Sequence, residues 1–322
     1  CSMLLLLWLL LLAPAIAFTS TNTKAIQYPN DGTLAEAPPS VQEAPFIEAQ
    51  RNIVVLSHNV SQDVADGLFD VNTLLTHRVD VLARCVNSAL WVSNGIRKDT
   101  SVFLMLFPQN ITIEVRGSEV CDLNPDERTT ALCLQQALLA TVATQNDNDT
   151  TQRRLVEVQR LQETDRKRPE TINPNKPGAL SKSERRAFRV VRKSREAMIR
   201  RITRSLEDSS PPPGFIVKHG DTLTARLQKW KGGPIFMLDE LGKPLRDIIM
   251  PDMMNTNSTN AGTNSESTAA TTTIILGDQI GYAKCDEKVM AESDAVSQVS
   301  LGRLSLLTSQ CITIVHHYLD AR

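Results

Sequence analysis

Aromatic residues are scarce in this chain. Phe, Trp and Tyr make up 4% of its 322 residues. That scarcity excludes single-strand nucleic-acid readers built on rows of stacked rings. No Gly-x-Gly-x-x-Gly and no Walker-type loop occurs, so dinucleotide and P-loop phosphate chemistry fall away. Gly-x-Ser-x-Gly is absent too. The five histidines (58, 77, 219, 316, 317) lack zincin spacing, the six cysteines (1, 85, 121, 133, 285, 311) form no Cys-x-x-Cys pair, and no metal site is expected. An excess of one charge is missing as well. With 35 Lys and Arg against 36 Asp and Glu, the formal net charge is -1, which excludes a uniformly basic coat and a strongly acidic tail.

What is present is enough for a core. Apolar residues at 41% exclude wholesale disorder, and the length alone suggests about two domains. Near neutrality conceals a local imbalance. Residues 151–209 hold 17 Lys and Arg against 8 Asp and Glu, a balance of +9, so the rest carries -10.

The apolar run from Met3 to Ala13 is shorter than the ~18 residues a bilayer span needs. With the small-x-small site Ala15-Ile16-Ala17 it reads as a signal peptide over 1–17. The Ala-Ile-Ala-Phe junction and the Ser/Thr stretch after it resemble the bipartite plastid-targeting signals of algae with secondary plastids. Plastid import by way of a signal peptide is therefore the expected localisation. The secretory pathway is the alternative, or the cytoplasm if the start lies elsewhere. Residues 18–51 read as a disordered leader or transit segment. No membrane association is expected of the mature form.

From Asn52 onward, apolar runs and helical periods alternate. Strands are expected at 52–57, 101–107, 111–115, 214–217, 235–238 and 273–276. Val79, Leu82, Val86, Leu90 and Ser93 predict a helix over 79–93. Asn124-Pro125-Asp126-Glu127 reads as an N-cap, a first-turn proline and a capping box, opening a helix to about Val142. Ser181 to Glu184 opens another, with Phe188, Val191, Met198, Ile202 and Leu206 beneath an Arg-rich face. That helix lies along phosphates or is simply a solvated helix packed by its apolar stripe. Asp221 can cap a helix through Trp230. The last segment, Cys311 to Leu319, reads as a terminal helix. Such alternation implies an α/β fold with a mainly parallel sheet.

Candidate chemistry sits at strand exits, where open α/β sheets bind ligands. They are Leu238-Asp239-Glu240-Leu241-Gly242, Leu276-Gly277-Asp278-Gln279-Ile280-Gly281, and Leu301 to Cys311. Asp278 reads as a turn former rather than a ligand contact. Arg78, Asp80 and Arg84 cluster at a helix start, with Arg97 and Asp99 nearby. Such a cluster suits an anionic polymer or a proton acceptor, and equally an ion-pair network.

Together these blocks resemble the SPOUT-class RNA methyltransferases, in particular the archaeal-type tRNA (pseudouridine-54 N1)-methyltransferase family. The resemblance runs through Arg78-Val79-Asp80-Val81-Leu82-Ala83-Arg84-Cys85-Val86, Gly95-Ile96-Arg97-Lys98-Asp99, Gly117-Ser118-Glu119 and Pro125-Asp126-Glu127-Arg128. It resumes with Gly277-Asp278-Gln279-Ile280-Gly281, Ser300-Leu301 and Cys311-Ile312-Thr313-Ile314. It covers about 53–142 and 214–322. This implies one domain over 52–322 with a SPOUT trefoil knot, interrupted by a basic helical insert at 145–212 and a flexible, low-complexity insert at 252–272.

The resemblance also implies an enzyme, a homodimer, and S-adenosyl-L-methionine as cofactor. By position, Leu238, Gly277, Leu306 and Cys311 would contact the cofactor. Asp80 would be base or orienter, with Arg78 and Arg84 holding phosphate or a developing anion. Arg97, Arg185, Arg186 and Arg189 would contact RNA. The substrate would be N1 of pseudouridine in RNA, in the tRNA T-loop first of all. Ribosomal RNA, or a non-catalytic RNA-binding or ribosome-assembly role, is the alternative. The pattern departs from the family at His77, Gln279 and Gly302-Arg303, which bears on base specificity more than on the cofactor.

Overall fold

The computed structural model describes residues 50–121, 123–145, 148–166, 181–207, 210–250 and 270–321. The expected signal peptide, residues 18–49 of the expected leader, and nearly all of the low-complexity insert lie outside them; Arg51, expected to end the leader, already opens the first strand. Among the described residues no helix is long and apolar enough to cross a membrane. Also among them, no group of three or more His, Cys, Asp or Glu is placed to hold a metal.

In chain order the elements are β1 (Arg51–Ser57), α1 (Gln62–Ala65), α2 (Val79–Leu90), the short strands β2 (Trp91–Val92) and β3 (Gly95–Ile96), β4 (Thr100–Leu106) and β5 (Ile111–Arg116). Three helices follow, α3 (Glu127–Gln145), α4 (Asn148–Arg166) and α5 (Lys182–Glu207). The chain then forms β6 (Phe215–His219), α6 (Leu223–Trp230), β7 (Ile235–Pro244), α7 (Leu245–Ile249), β8 (Thr272–Gly277), α8 (Lys284–Ala291), β9 (Val296–Ser300) and α9 (Thr308–Asp320).

Seven strands form one sheet in the order β6-β5-β4-β1-β8-β7-β9. Neighbours from β4 to β9 are parallel; β5 is antiparallel to both β4 and β6 and alone runs against the rest. The mixed α/β fold with a mostly parallel sheet is thus as expected. Ile53, Val54, Val55 and Leu56 are all fully buried, because helices cover both faces. Ile53 and Val55 join Val102, Leu104 and Ile274 in a core with α2, α3 and α9. Val54 and Leu56 join Phe103, Met105 and Ile275 in a second core with α6 and α8. The period-two alternation of a strand decides which core each side chain enters.

Several local expectations shift. The helix expected over 79–93 ends at Leu90, and Trp91–Val92 pairs with Gly95–Ile96 around Ser93-Asn94. A two-residue Ser93-Asn94 turn leading into Gly95, after an aromatic and a β-branched residue, outweighs the helical period there. The cap of α3 is Asp126 rather than Asn124: its carboxylate accepts the Thr129 N–H at 2.8 Å, which holds that carboxyl below its ordinary range. Likewise Thr222 caps α6 by accepting from the Ala225 N–H at 3.2 Å, while Asp221 pairs with Arg226. The basic segment holds two helices, α4 and α5, where one was expected.

Candidate functional site

β7, β8 and β9 run parallel, and the pairing of β7 with β9 is interrupted by an irregularity between Leu238 and Lys243, inside the strand where a strand exit was expected. This irregularity and the exits of β8 and β9 enclose a cavity of about 660 Å³, walled by 238–240, 276–282, 301–302 and 304–311 together with Arg78, Val81, Arg84 and Glu287. Backbone ties between the loops fix its shape. The Thr308 hydroxyl donates to the Gly277 carbonyl at 2.7 Å, and the Ser300 hydroxyl lies 3.2 Å from the Glu240 carbonyl. The buried Tyr282 hydroxyl sits between the carbonyls of Leu238 (2.9 Å) and Ile275 (2.8 Å). Burial pushes its pKa up.

Gly277 is required by close approach. A Cβ there would lie 2.5 Å from the Gly281 carbonyl carbon. Gly281 itself has φ +87, in the region glycine adopts freely. Asp278 is the turn former expected of it. One carboxylate oxygen accepts from the Ser57 hydroxyl (2.9 Å) and the His58 N–H (3.1 Å), and the other from the Ile280 N–H (2.8 Å). It therefore ties the exit of β8 to the exit of β1.

The four residues expected to meet a cofactor, Leu238, Gly277, Leu306 and Cys311, all line this cavity. Burial, with Glu240 adding to it, pushes the Cys311 thiol up, so it is neutral near pH 7 and lines the wall rather than attacking. The cavity joins apolar Leu238, Leu276, Leu301 and Leu306 to acidic Asp239, Glu240 and Glu287. That mixture suits a ligand with a flat apolar part and a cationic part, which fits S-adenosylmethionine with its adenine and sulfonium. The acidic wall and Tyr282 were not singled out from sequence as site residues. Asp239 and Glu240 stood in a strand-exit motif, but Tyr282 had no such signal.

Arg78 and Arg84 reach the cavity, and Asp80 lies beneath them. Arg84 Nη2 donates to one Asp80 oxygen at 2.7 Å, and Arg78 Nε lies 3.4 Å from the other. The Asp80 side chain is 3% exposed, against 49% for Arg78 and 36% for Arg84. Arg78 has φ 56 just before α2, a left-handed backbone uncommon for a side chain of its size.

Arg97 is not brought to this group. It forms a two-pronged pair with Asp320, both bonds 2.9 Å, beside Arg51 at the start of β1 and so at the other end of the sheet. Arg186 and Arg189 are exposed on α5. Arg185 lies on the same helix, its side chain outside the described residues. Of the departing residues, Gln279 lines the cavity, and His77 Nδ1 lies 3.2 Å from the Ser61 hydroxyl.

A family model described as putative SAM-dependent RNA methyltransferase matches residues 51–161 and 149–322. A relative from Methanosarcina mazei named tRNA (pseudouridine(54)-N(1))-methyltransferase is 26% identical over 276 residues, covering 84% of this chain and 90% of the relative. One of the same name from Natronomonas pharaonis is 25% identical over 271 residues, 84% of this chain and 96% of its own. Among solved structures, Archaeoglobus fulgidus Nep1 bound to S-adenosylhomocysteine aligns with a TM-score of 0.41 and 10% identity. That alignment covers 85% of this chain and 97% of the other.

Proposed function

The chain belongs to the putative SAM-dependent RNA methyltransferase family, and from that premise we propose that it methylates N1 of pseudouridine in RNA, with the tRNA T-loop as substrate. The observation that carries this reading is one cavity lined both by the irregular part of β7 with the exits of β8 and β9 and by Arg78 and Arg84. Relatives named for that reaction align along 84% of the chain.

In this reading Leu238, Gly277, Leu306 and Cys311 hold S-adenosylmethionine, which supplies an electrophilic methyl group. The chain's own residues do the rest. The target base leaves its stack at a cost of a few kcal/mol and enters beside Arg78 and Arg84. Pseudouridine is attached through carbon, so its N1–H is free. As the N1–H bond breaks, the two guanidiniums stabilise the developing anion and grip phosphate. The bound cofactor would supply the methyl group to N1, and the proton released from N1 leaves to water at the mouth. Asp80, with its oxygens paired to both arginines, is the positioning residue that aims them.

The test uses the full chain with methyl-labelled S-adenosylmethionine and a tRNA T-arm carrying either pseudouridine or uridine at the target. Label should enter only the pseudouridine arm. No transfer to it, with cofactor binding shown by calorimetry, would overturn the enzyme reading and favour a binding role. Transfer to a ribosomal RNA fragment instead would move the substrate.

The same reading includes a trefoil-knotted homodimer. Exposed Leu241, Ile280, Leu304 and Leu307 around the loops support a partner surface there, and sedimentation tests it. Plastid import is also part of the reading, tested by the destination of a fluorescent fusion to residues 1–60.

A further inference from the structure

Helix α5 (Lys182–Glu207) carries ten Lys and Arg against three Glu. They are not spread evenly around it. Ser194, Met198, Ile202 and Ser205 are buried and face α3 and α4, against which α5 packs. Arg201 also turns inward, its Nε donating to Gln135 at 2.7 Å. The opposite side presents Arg186, Arg189, Lys193, Arg200 and Arg204. Spacings of three, four, seven and four residues put these five on one face.

All five are exposed, and among the described residues none has an acidic partner. Neighbouring Arg192 contrasts with them, paired to Glu196 at 3.0 Å. From Arg186 to Arg204 the stripe is ~27 Å long at the helical rise. Charges held in a straight, unpaired row have no evident use within the fold.

The middle of this helix is tied to the segment that leads into the site. The Asn72 side-chain amide donates to the Ser194 hydroxyl at 2.6 Å, and that hydroxyl donates to Asp70 at 2.8 Å. Arg78 at the cavity wall is only six residues on from Asn72, a reach of at most ~22 Å. The middle of the stripe is thus held within a short stem's length of the pocket.

We infer that this stripe docks on the sugar–phosphate backbone of a base-paired RNA stem next to the loop whose base enters the cavity. The inference rests on the RNA reading above and adds a contact made by the chain's own helical insert. Repulsion between unpaired cations is relieved by phosphates, and counterion release supplies the affinity. A paired stem fits better than a single strand, because the stripe itself has no aromatic platforms for bases. A lipid surface fits less well, because Met198 and Ile202 of the apolar side of α5 are buried against the protein and, of its large apolar residues, only Phe188, Val190 and Val191 are exposed beside the stripe.

The test compares the full chain with a variant carrying Arg186→Gln, Arg189→Gln, Lys193→Gln, Arg200→Gln and Arg204→Gln. The probes are a labelled, perfectly paired RNA duplex and two pseudouridine stem-loops, one with a long stem and one cut close to the loop. For the duplex, the slope of log affinity against log salt should shrink by up to ~0.9 for each phosphate that no longer meets a cation, and affinity at low salt should fall at least tenfold. For the long stem-loop KM should rise with kcat unchanged, and the short one should be unaffected. A variant with Lys at all four arginines should behave like the parent.

An unchanged salt slope would overturn the inference. So would loss of binding to phosphatidylserine vesicles with duplex binding intact. Should the parent methylate no RNA, the proposed activity fails, while the duplex slope still decides this stripe. Circular dichroism checks that the fivefold variant folds. A double variant, Arg186→Gln with Arg189→Gln, should give a smaller shift in the same direction.

Discussion

Arg84 closes over Asp80 from one helical turn away, its guanidinium 2.7 Å from a carboxylate that is almost fully buried. Arg78 holds the other oxygen from outside the helix. The acid is therefore engaged by the two cations that face the cavity, and in the proposed reaction it would aim them.

That relationship predicts the effect of Asp80→Asn. An amide keeps the shape but loses the charge that fixes both guanidiniums. Single-turnover methyl transfer should slow by roughly 10- to 100-fold, in the range seen when a preorganised donor is lost. Cofactor affinity by calorimetry should stay within about twofold, because Asp80 does not line the cofactor loops. A full rate in this variant would remove the positioning role. Arg84→Lys should recover little, since an ammonium cannot reproduce the planar grip.

Gly277→Ala probes the cofactor wall. The added methyl would sit 2.5 Å from the Gly281 backbone, and backbone cannot step aside as a flexible side chain can. Overpacking of this kind costs ~1–3 kcal/mol, and here it would open the turn that Asp278 holds. Cofactor affinity should drop at least tenfold by calorimetry, with a lower melting temperature. Cys311→Ser is the contrasting variant. Its thiol is held neutral by burial and by Glu240, so activity should persist within a few-fold.

Much of this site follows from patterns visible in the chain. Continuous apolar runs place β1, β4 and β8, and glycine at the end of a buried run marks an exit that lines the cavity. The pairing of Arg97 was not visible, because Asp320 lies 223 residues further along and Asp99 is the nearer partner in sequence. Helix α4 was missed for a related reason. It is held by a buried arginine as well as by an apolar stripe, and a hydrophobic period cannot register that. The burial of Asp80 is equally silent in sequence, since a polar residue at a helix start is as often exposed.

His316 predicts an acid-sensitive window. Burial, with Arg97 and Arg51 adding to it, lowers its pKa from 6.5 to about 4. The unfolded chain therefore takes up a proton below pH 6.5 that the folded chain refuses until about pH 4. Stability from this group is complete above 6.5 and is lost as pH falls from there through 4. Chemical denaturation at pH 7, 5.5 and 4.5 should show a decline that His316→Gln reduces. If the decline is identical in the variant, other groups cause it. Asp320 is the nearest competitor. Burial raises its pKa, but the pairs with Arg97 and Arg51 outweigh that and hold it low, so its loss falls at more acid pH.

Arg154 joins the helical insert to the body. It is fully buried, and its guanidinium donates to the Asp66 carbonyl at 3.0 and 3.2 Å, to Leu139 at 2.8 Å and to Leu138 at 3.1 Å. Neighbouring Arg153 adds a pair with Asp66 at 3.3 Å. Arg154→Ala would strand those carbonyls and leave a cavity as large as the side chain. Each unmet polar group costs ~1–3 kcal/mol, so a loss of at least about 3 kcal/mol is expected in urea denaturation. Arg154→Met, which fills the space without donors, should lose less than alanine but still more than about 1 kcal/mol. The loss should be local as well as global. Hydrogen exchange in α4 and α5 should accelerate before that in β1, because the bonds from Arg154 hold the insert and not the sheet. Uniform acceleration across both would show that the insert and the sheet unfold as one unit.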